Sequence, residues 1–138
     1  MANLFAVLND DYKVVNIVVG NDFNLTTEAE MSSFMSININ KIKKYSNDGS
    51  YLNRGTPSVG DFYLENEDYF KPYQVFPSWT YNETKRKWEA PVISPEEYKN
   101  TYNYWWDENN LRWLGYVRDA NPRVDFIWNS VTKSWENL

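Results

Sequence analysis

An aromatic segment of ten residues, written three times over, limits this chain more than anything else in it. The copies are residues 79–88 (WTYNETKRKW), 104–113 (YWWDENNLRW) and 126–135 (FIWNSVTKSW). Each opens on an aromatic residue (Trp79, Tyr104, Phe126) and carries a second ring two positions on (Tyr81, Trp106, Trp128). Each closes on tryptophan (Trp88, Trp113, Trp135). An Asn or Asp follows the second ring in every copy, at Asn82, Asp107 and Asn129. Rings two residues apart share one face of an extended strand, and a short polar side chain that bonds its own backbone starts a turn. The pattern predicts three β-hairpins. In them Tyr81 meets Trp88, Trp106 meets Trp113 and Trp128 meets Trp135, while Asn82 faces Lys87 and Asp107 faces Arg112. A cross-strand aromatic pair contributes about 0.2–1 kcal/mol beyond an Ala pair. A lone hairpin is only marginally stable in water. The three must therefore pack on one another, on residues 1–76, or on another chain, as a meander or as separate flaps.

The rest of the chain supplies shorter signals. Residues 4–8 (LFAVL) and 12–19 (YKVVNIVV) are two apolar runs around the turn residues Asn9, Asp10 and Asp11, which reads as an N-terminal hairpin. Thr27 and Glu30 have the spacing of a capping box. With Met31, Phe34 and Met35 on one face, they predict a short helix within residues 26–36. Residues 46–61 are dense in Asn, Gly and Pro and read as loop. Residues 90–95 (APVISP), bounded by Pro91 and Pro95, read as an extended linker, and residues 118–123 as a polar loop. The expected fold class is mainly β with one short helix: an N-terminal hairpin, the helix, a loop-rich middle and three aromatic hairpins. The expected division is residues 1–76 and 77–138, as one continuous small domain or two subdomains.

Composition narrows the chemistry. The 138 residues contain no His and no Cys, which removes the usual base at neutral pH, the commonest metal ligand and every thiolate. Carboxylates are plentiful, but Glu65, Glu67 and Asp68 lack the ordered spacing of a calcium loop and read as an acidic turn. No cofactor, metal site or catalytic residue is expected, and the chain reads as a non-enzyme. A net charge of −5 argues against nucleic acid, whose phosphates are bound by clustered Lys and Arg. The one basic cluster, Lys41, Lys43 and Lys44, reads as a solvated strand face. The sequence starts without a basic segment leading into an apolar one, and its longest apolar run is too short to span a bilayer. Synthesis in a cytoplasm and no membrane partner are the expectations.

Several short elements also resemble a known family. They are Phe5-Ala6-Val7-Leu8, Phe76-Pro77-Ser78-Trp79, Asn82-Glu83-Thr84, Trp88-Glu89-Ala90-Pro91, Trp106-Asp107-Glu108 and Trp113, in that order. Together they resemble the small structural proteins of marine bacteriophages, cyanophages especially, over about residues 4–113. The resemblance implies a virion component without catalytic role, bound to other virion proteins in multiple symmetric copies, on the head, neck, tail or fibres. The candidate contact residues are the nine rings Trp79, Tyr81, Trp88, Tyr104, Trp106, Trp113, Phe126, Trp128 and Trp135. Three uses of them stay open. They fill a shallow core, they form a protein interface, where Trp and Tyr concentrate, or they make a stacking platform for a surface glycan. The last makes a carbohydrate-binding module for host adsorption the alternative function.

Overall fold

The computed structural model describes residues 3–21 and 24–138. The chain is mainly β, with a single α-helix among the described residues. It divides into two compact units, residues 1–73 and 74–138.

The first unit is built on a three-stranded antiparallel sheet in the order β2-β1-β3. Strand β1 is Asn3–Leu8, β2 is Val14–Gly20 and β3 is Ile42–Tyr45. The central strand is apolar without alternation because both of its faces are covered. Phe5 and Val7 pack with Ile42 under Met31 of helix α1 (Glu28–Met35). Ala6 and Leu8 pack on the other face with Val14, Tyr45, Tyr63 and Phe70. The last two belong to a second hairpin, β4 (Phe62–Leu64) and β5 (Tyr69–Lys71).

The predicted capping box starts α1: Glu30 N–H donates to Thr27 Oγ1 at 3.2 Å, and Thr27 N–H to Glu30 Oε1 at 3.0 Å. The predicted apolar face needs correction. Met31 is buried and Met35 partly buried, but Phe34 is 72% exposed. Met31 and Met35, one turn apart, centre the stripe, and Phe34 falls off its edge. The N-terminal hairpin forms as expected, except that Tyr12 adopts a left-handed conformation, φ 60°, so that β2 begins at Val14.

Arg54 closes the free edge of β3. Its guanidinium donates to the Lys44 carbonyl (2.9 Å), to Glu28 (2.6 Å) and to Asp68 (2.8 Å). Glu28 in turn accepts from Lys44 N–H at 2.7 Å. One buried cation thus holds helix, sheet edge and the β4–β5 turn together. Lys44 is consequently no solvated face: its ammonium donates to the Thr26 carbonyl at 2.6 Å.

The second unit holds the three predicted hairpins, differently arranged. The first, β6 (Thr80–Asn82) with β7 (Lys87–Glu89), is a separate two-stranded sheet. The other two merge into a four-stranded meander in chain order: β8 (Tyr102–Asp107), β9 (Arg112–Val117), β10 (Asp125–Asn129) and β11 (Ser134–Asn137). Every predicted ring pair is found in register, Tyr81–Trp88, Trp106–Trp113 and Trp128–Trp135, each with centroids 5.2 Å apart. The turn residues do what the pattern requires. Asn82 Oδ1 accepts from Lys85 N–H, and Asn129 Oδ1 accepts from Val131 and Thr132 N–H. Asp107 pairs with Arg112 at 3.0 Å.

A fourth hairpin of the same build lies in the first unit. The pairs Leu64↔Tyr69, Asn82↔Lys87, Asp107↔Arg112 and Asn129↔Ser134 each enclose four residues. The fourth loop residue is left-handed in all: Asp68, Arg86, Leu111 and Lys133, with φ of 50–55°. One step outward stands an aromatic pair, which in β4–β5 is Tyr63–Phe70 at 5.4 Å.

Candidate functional site: an aromatic scaffold with a pinned strap

The nine candidate rings fall into distinct environments. Trp106, Trp113 and Trp128 are buried and form one cluster, against which Trp79, Tyr104, Trp135, Tyr98 and Phe76 pack partly buried. The contacts are mainly edge-to-face: Trp79 meets Trp106 at 6.1 Å and 79°, and Tyr104 meets Trp113 at 5.6 Å and 81°. This is the geometry preferred by ring quadrupoles. Tyr81 and Trp88 make their own pair on β6–β7. Phe126 sits at the edge of Tyr102, 6.3 Å away, and Tyr102 stacks on Trp135 at 4.5 Å and 11°. That stack consumes the one near-parallel pair of faces among the described rings.

Indole N–H groups tie loops to this core. Trp113 Nε1 donates to the Val92 carbonyl at 2.9 Å, and Trp128 Nε1 to the Ile93 carbonyl at 3.0 Å. Residues 90–95, expected only as an extended linker, are therefore a strap pinned across the tryptophans, and Pro95 at its end is fully buried. Trp106 Nε1 donates to Glu108 at 2.6 Å. Glu108 also accepts from the Ser78 N–H and hydroxyl, at 2.9 and 2.7 Å, which fixes the segment carrying Trp79. Those donors, Ser78 foremost, hold the Glu108 carboxyl below the usual carboxylate range. The buried indole N–H groups of Trp79 and Trp135 have no acceptor; those two rings act through packing alone.

Pinning leaves the Ile93 side chain 79% exposed. On one side of it lies an open groove of about 780 Å³, walled by Trp88 and Lys87 of β7 and floored by Trp79, Tyr104 and Trp113. On the other lies a hollow of about 170 Å³ beside Trp128, Ser130 and Lys133. Both carboxylates of the groove are engaged: Glu89 with Asn82 (2.9 Å) and Lys85 (3.8 Å), Glu96 with Lys99 (3.5 Å) and Tyr104. Burial foremost, with Glu96 second, raises the Tyr104 phenol above its ordinary value. The arrangement offers apolar contact and a few charged rim groups.

Sequence reasoning named the floor of the groove but not its strap or rim. Val92, Ile93, Ser94 and Glu96 carry no pattern; the two prolines that make the segment extended were the only available signal. Among the described residues no group of three or more His, Cys, Asp or Glu side chains could hold a metal ion. No helix there is long and apolar enough to cross a membrane. No protein-family model matches the chain, and comparison with curated proteins and with solved structures finds no match.

Proposed function

We propose that this chain is a non-catalytic component of a bacteriophage particle, and that it docks on a neighbouring virion protein through the strap and the groove beside it. The observation that carries the docking reading is Ile93. An exposed branched apolar side chain, held by two indole-bonded carbonyls between two concavities, is a preorganised anchor. Rigid anchors beside pockets dominate binding energy because little entropy is lost on association. The virion setting is supported by the resemblance carried by Phe76-Pro77-Ser78-Trp79 and Trp88-Glu89-Ala90-Pro91.

The test is substitution of Ile93 by Asp in the phage genome. The side chain is exposed, so the isolated protein keeps its fold, while the variant disappears from purified particles as read by quantitative mass spectrometry. Wild-type protein absent from particles, or I93D incorporated at the wild-type level, would sink the proposal.

A glycan ligand is favoured by one feature only, the rings of Trp88 and Tyr104 beside Lys87 and Glu96 in the groove. Sugar stacking wants flat, exposed, near-coplanar faces, and the rings at the base of the groove are inclined to one another, by 81° for Tyr104 and Trp113 and 59° for Trp79 and Trp113. A glycan array in which wild-type protein binds and I93D binds equally well would favour the sugar reading.

A further inference from the structure

The sheet of the first unit treats its two edges unequally. The β3 edge is closed: Lys44 N–H is taken by Glu28, and its carbonyl by Arg54. The β2 edge is closed only at its start. There Tyr63 N–H donates to the Tyr12 carbonyl, Val14 N–H to the Asp61 carbonyl, and Gly60 N–H to the Val14 carbonyl. The chain then turns away through the Asp61 N–H to Ser58 carbonyl bond. From Asn16 onward no strand lies outside β2 among the described residues.

The direction of the outward groups follows from one bond. Ile17 N–H donates to its neighbour's side chain, Asn16 Oδ1, at 2.9 Å, so it points away from β1. Main-chain groups alternate along a strand, so those of Val19 point the same way. Native proteins blunt open edges with charges, prolines or bulges. Here the only bulge lies at Val15, where the register shifts between Val7↔Asn16 and Leu8↔Val14. Beyond it the strand reads Asn16-Ile17-Val18-Val19-Gly20, without charge or proline, and Val19 is 47% exposed.

We infer that this edge pairs with the same edge of a second copy of the chain, antiparallel across a two-fold axis at Val18. That register sets Ile17 of each copy opposite Val19 of the other. Both residues have outward main-chain groups, so two hydrogen-bonded pairs form once the exposed Asn16 side chain hands the Ile17 N–H to the facing strand, and two three-stranded sheets become one of six strands. The register avoids both the bulge at Val15 and the stretch capped by residues 60–63. A second copy is the occupant because the segment is uncharged and meets itself without repulsion, and because one register pairs the outward groups of Ile17 and Val19 in both copies. Isologous pairing is also the commonest symmetry of soluble oligomers. An edge contact alone is small beside a standard interface of about 1,600 Å², so the dimer dissociates on dilution. The inference is independent of the groove and of the virion proposal.

The experiment is sedimentation velocity on the full chain from about 10 µM to about 1 mM, the range in which a weak association shows. Wild type shifts toward twice the chain mass as concentration rises. Val19→Lys stays monomeric throughout with an unchanged far-UV spectrum, and Val131→Lys, a charge placed on an exposed hairpin tip, dimerises as wild type does. Hydrogen exchange of the Ile17 and Val19 amides slows with concentration in wild type alone. If Val19→Lys does not fold, Asn16→Lys carries the same test from an exposed position. Wild type that is monomeric at every concentration, or a folded lysine variant that still dimerises, would overturn the inference; a wild type that pairs only with an added foreign strand counts as monomeric.

Discussion

At the scale of single residues, the second unit depends on who is small as much as on who is large. Gly115 on β9 lies under the indole of Trp135, the ring that stacks on Tyr102. A methyl group there would sit 2.6 Å from Trp135 Cη2 and 3.0 Å from the Asn103 carbonyl oxygen. Neither neighbour can yield easily: one is a ring sandwiched between others, the other is ladder backbone. Gly115→Ala should therefore destabilise the protein by about 1–3 kcal/mol, the usual cost of forcing extra volume into a packed core. A thermal melt reads it, and loss of the Trp near-ultraviolet dichroism identifies the ring as the site of damage. An unchanged melting temperature would mean that Trp135 is free to leave Tyr102.

At the scale of elements, the hairpin is the unit of construction, and its loop shows how one backbone can carry opposite demands. The left-handed region costs an L-residue about 1–2 kcal/mol, and glycine escapes it at an entropic cost of about 0.5–1 kcal/mol. Leu111 holds φ 50° with its side chain half exposed, so Leu111→Gly should raise stability by about 0.5–1 kcal/mol. Asp68 holds φ 51° too, yet Asp68→Gly should lower it by about 1–3 kcal/mol, because buried Arg54 then loses a partner. Urea titrations of both variants give opposite shifts of the midpoint; shifts of the same sign would show that backbone strain does not govern these loops. The same comparison explains what was legible in the sequence. Three hairpins were readable because Asn82, Asp107 and Asn129 each open a turn three residues after the first ring of a strand, and a Trp closes it six residues later. The β4–β5 hairpin was hidden: it opens on Leu64, closes on Phe70 rather than Trp, and has Asp61 where the other copies have their first ring. Its acidic turn was visible; its strands were not. The strap was hidden for another reason. Its position rests on backbone carbonyls of Val92 and Ile93, which every residue type possesses, so no side-chain pattern could announce the bonds from Trp113 and Trp128. Phe34 shows the reverse failure, a correct helix whose short contact with the sheet left no room for a third apolar residue.

At the scale of the whole molecule, the absence of His and Cys makes stability a matter of carboxylates and phenols. Among the described residues, five carboxyls lie below their ordinary values in the folded chain. Hydrogen bonds from Thr26 and Thr27 lower Glu30, and bonds from Ser46 and Ser50 bring Asp48 to about 2. Asn110 and Arg112 lower Asp107, and Ser78 and Trp106 lower Glu108. Burial pushes Asp68 up, but its bonds from Tyr63 and Arg54 outweigh that and leave it lowered. A group whose folded value is depressed stabilises fully above its unfolded value, about 4 for a carboxyl, and loses that contribution as pH falls through the folded value. Stability should therefore fall below about pH 4. The phenols act at the other end. Tyr12 is raised by its bond to Glu65, Tyr45 by burial, and Tyr63 by burial and then Asp68. A raised folded value stabilises fully below the unfolded value, about 10 for a phenol, and is lost as pH rises beyond it. Between about pH 5 and about pH 9 few side chains titrate, so urea midpoints measured across that window should be level. Glu108→Gln separates the acid limb into parts. Gln accepts less strongly from Ser78 and Trp106, so the variant is weaker than wild type at neutral pH, and the difference shrinks as pH falls through the lowered folded value of Glu108, where the wild-type carboxyl is itself neutral. A difference that persists undiminished at low pH would assign the loss to packing at the Trp106 contact, and a transition between about pH 5 and about pH 8 would contradict the account as a whole.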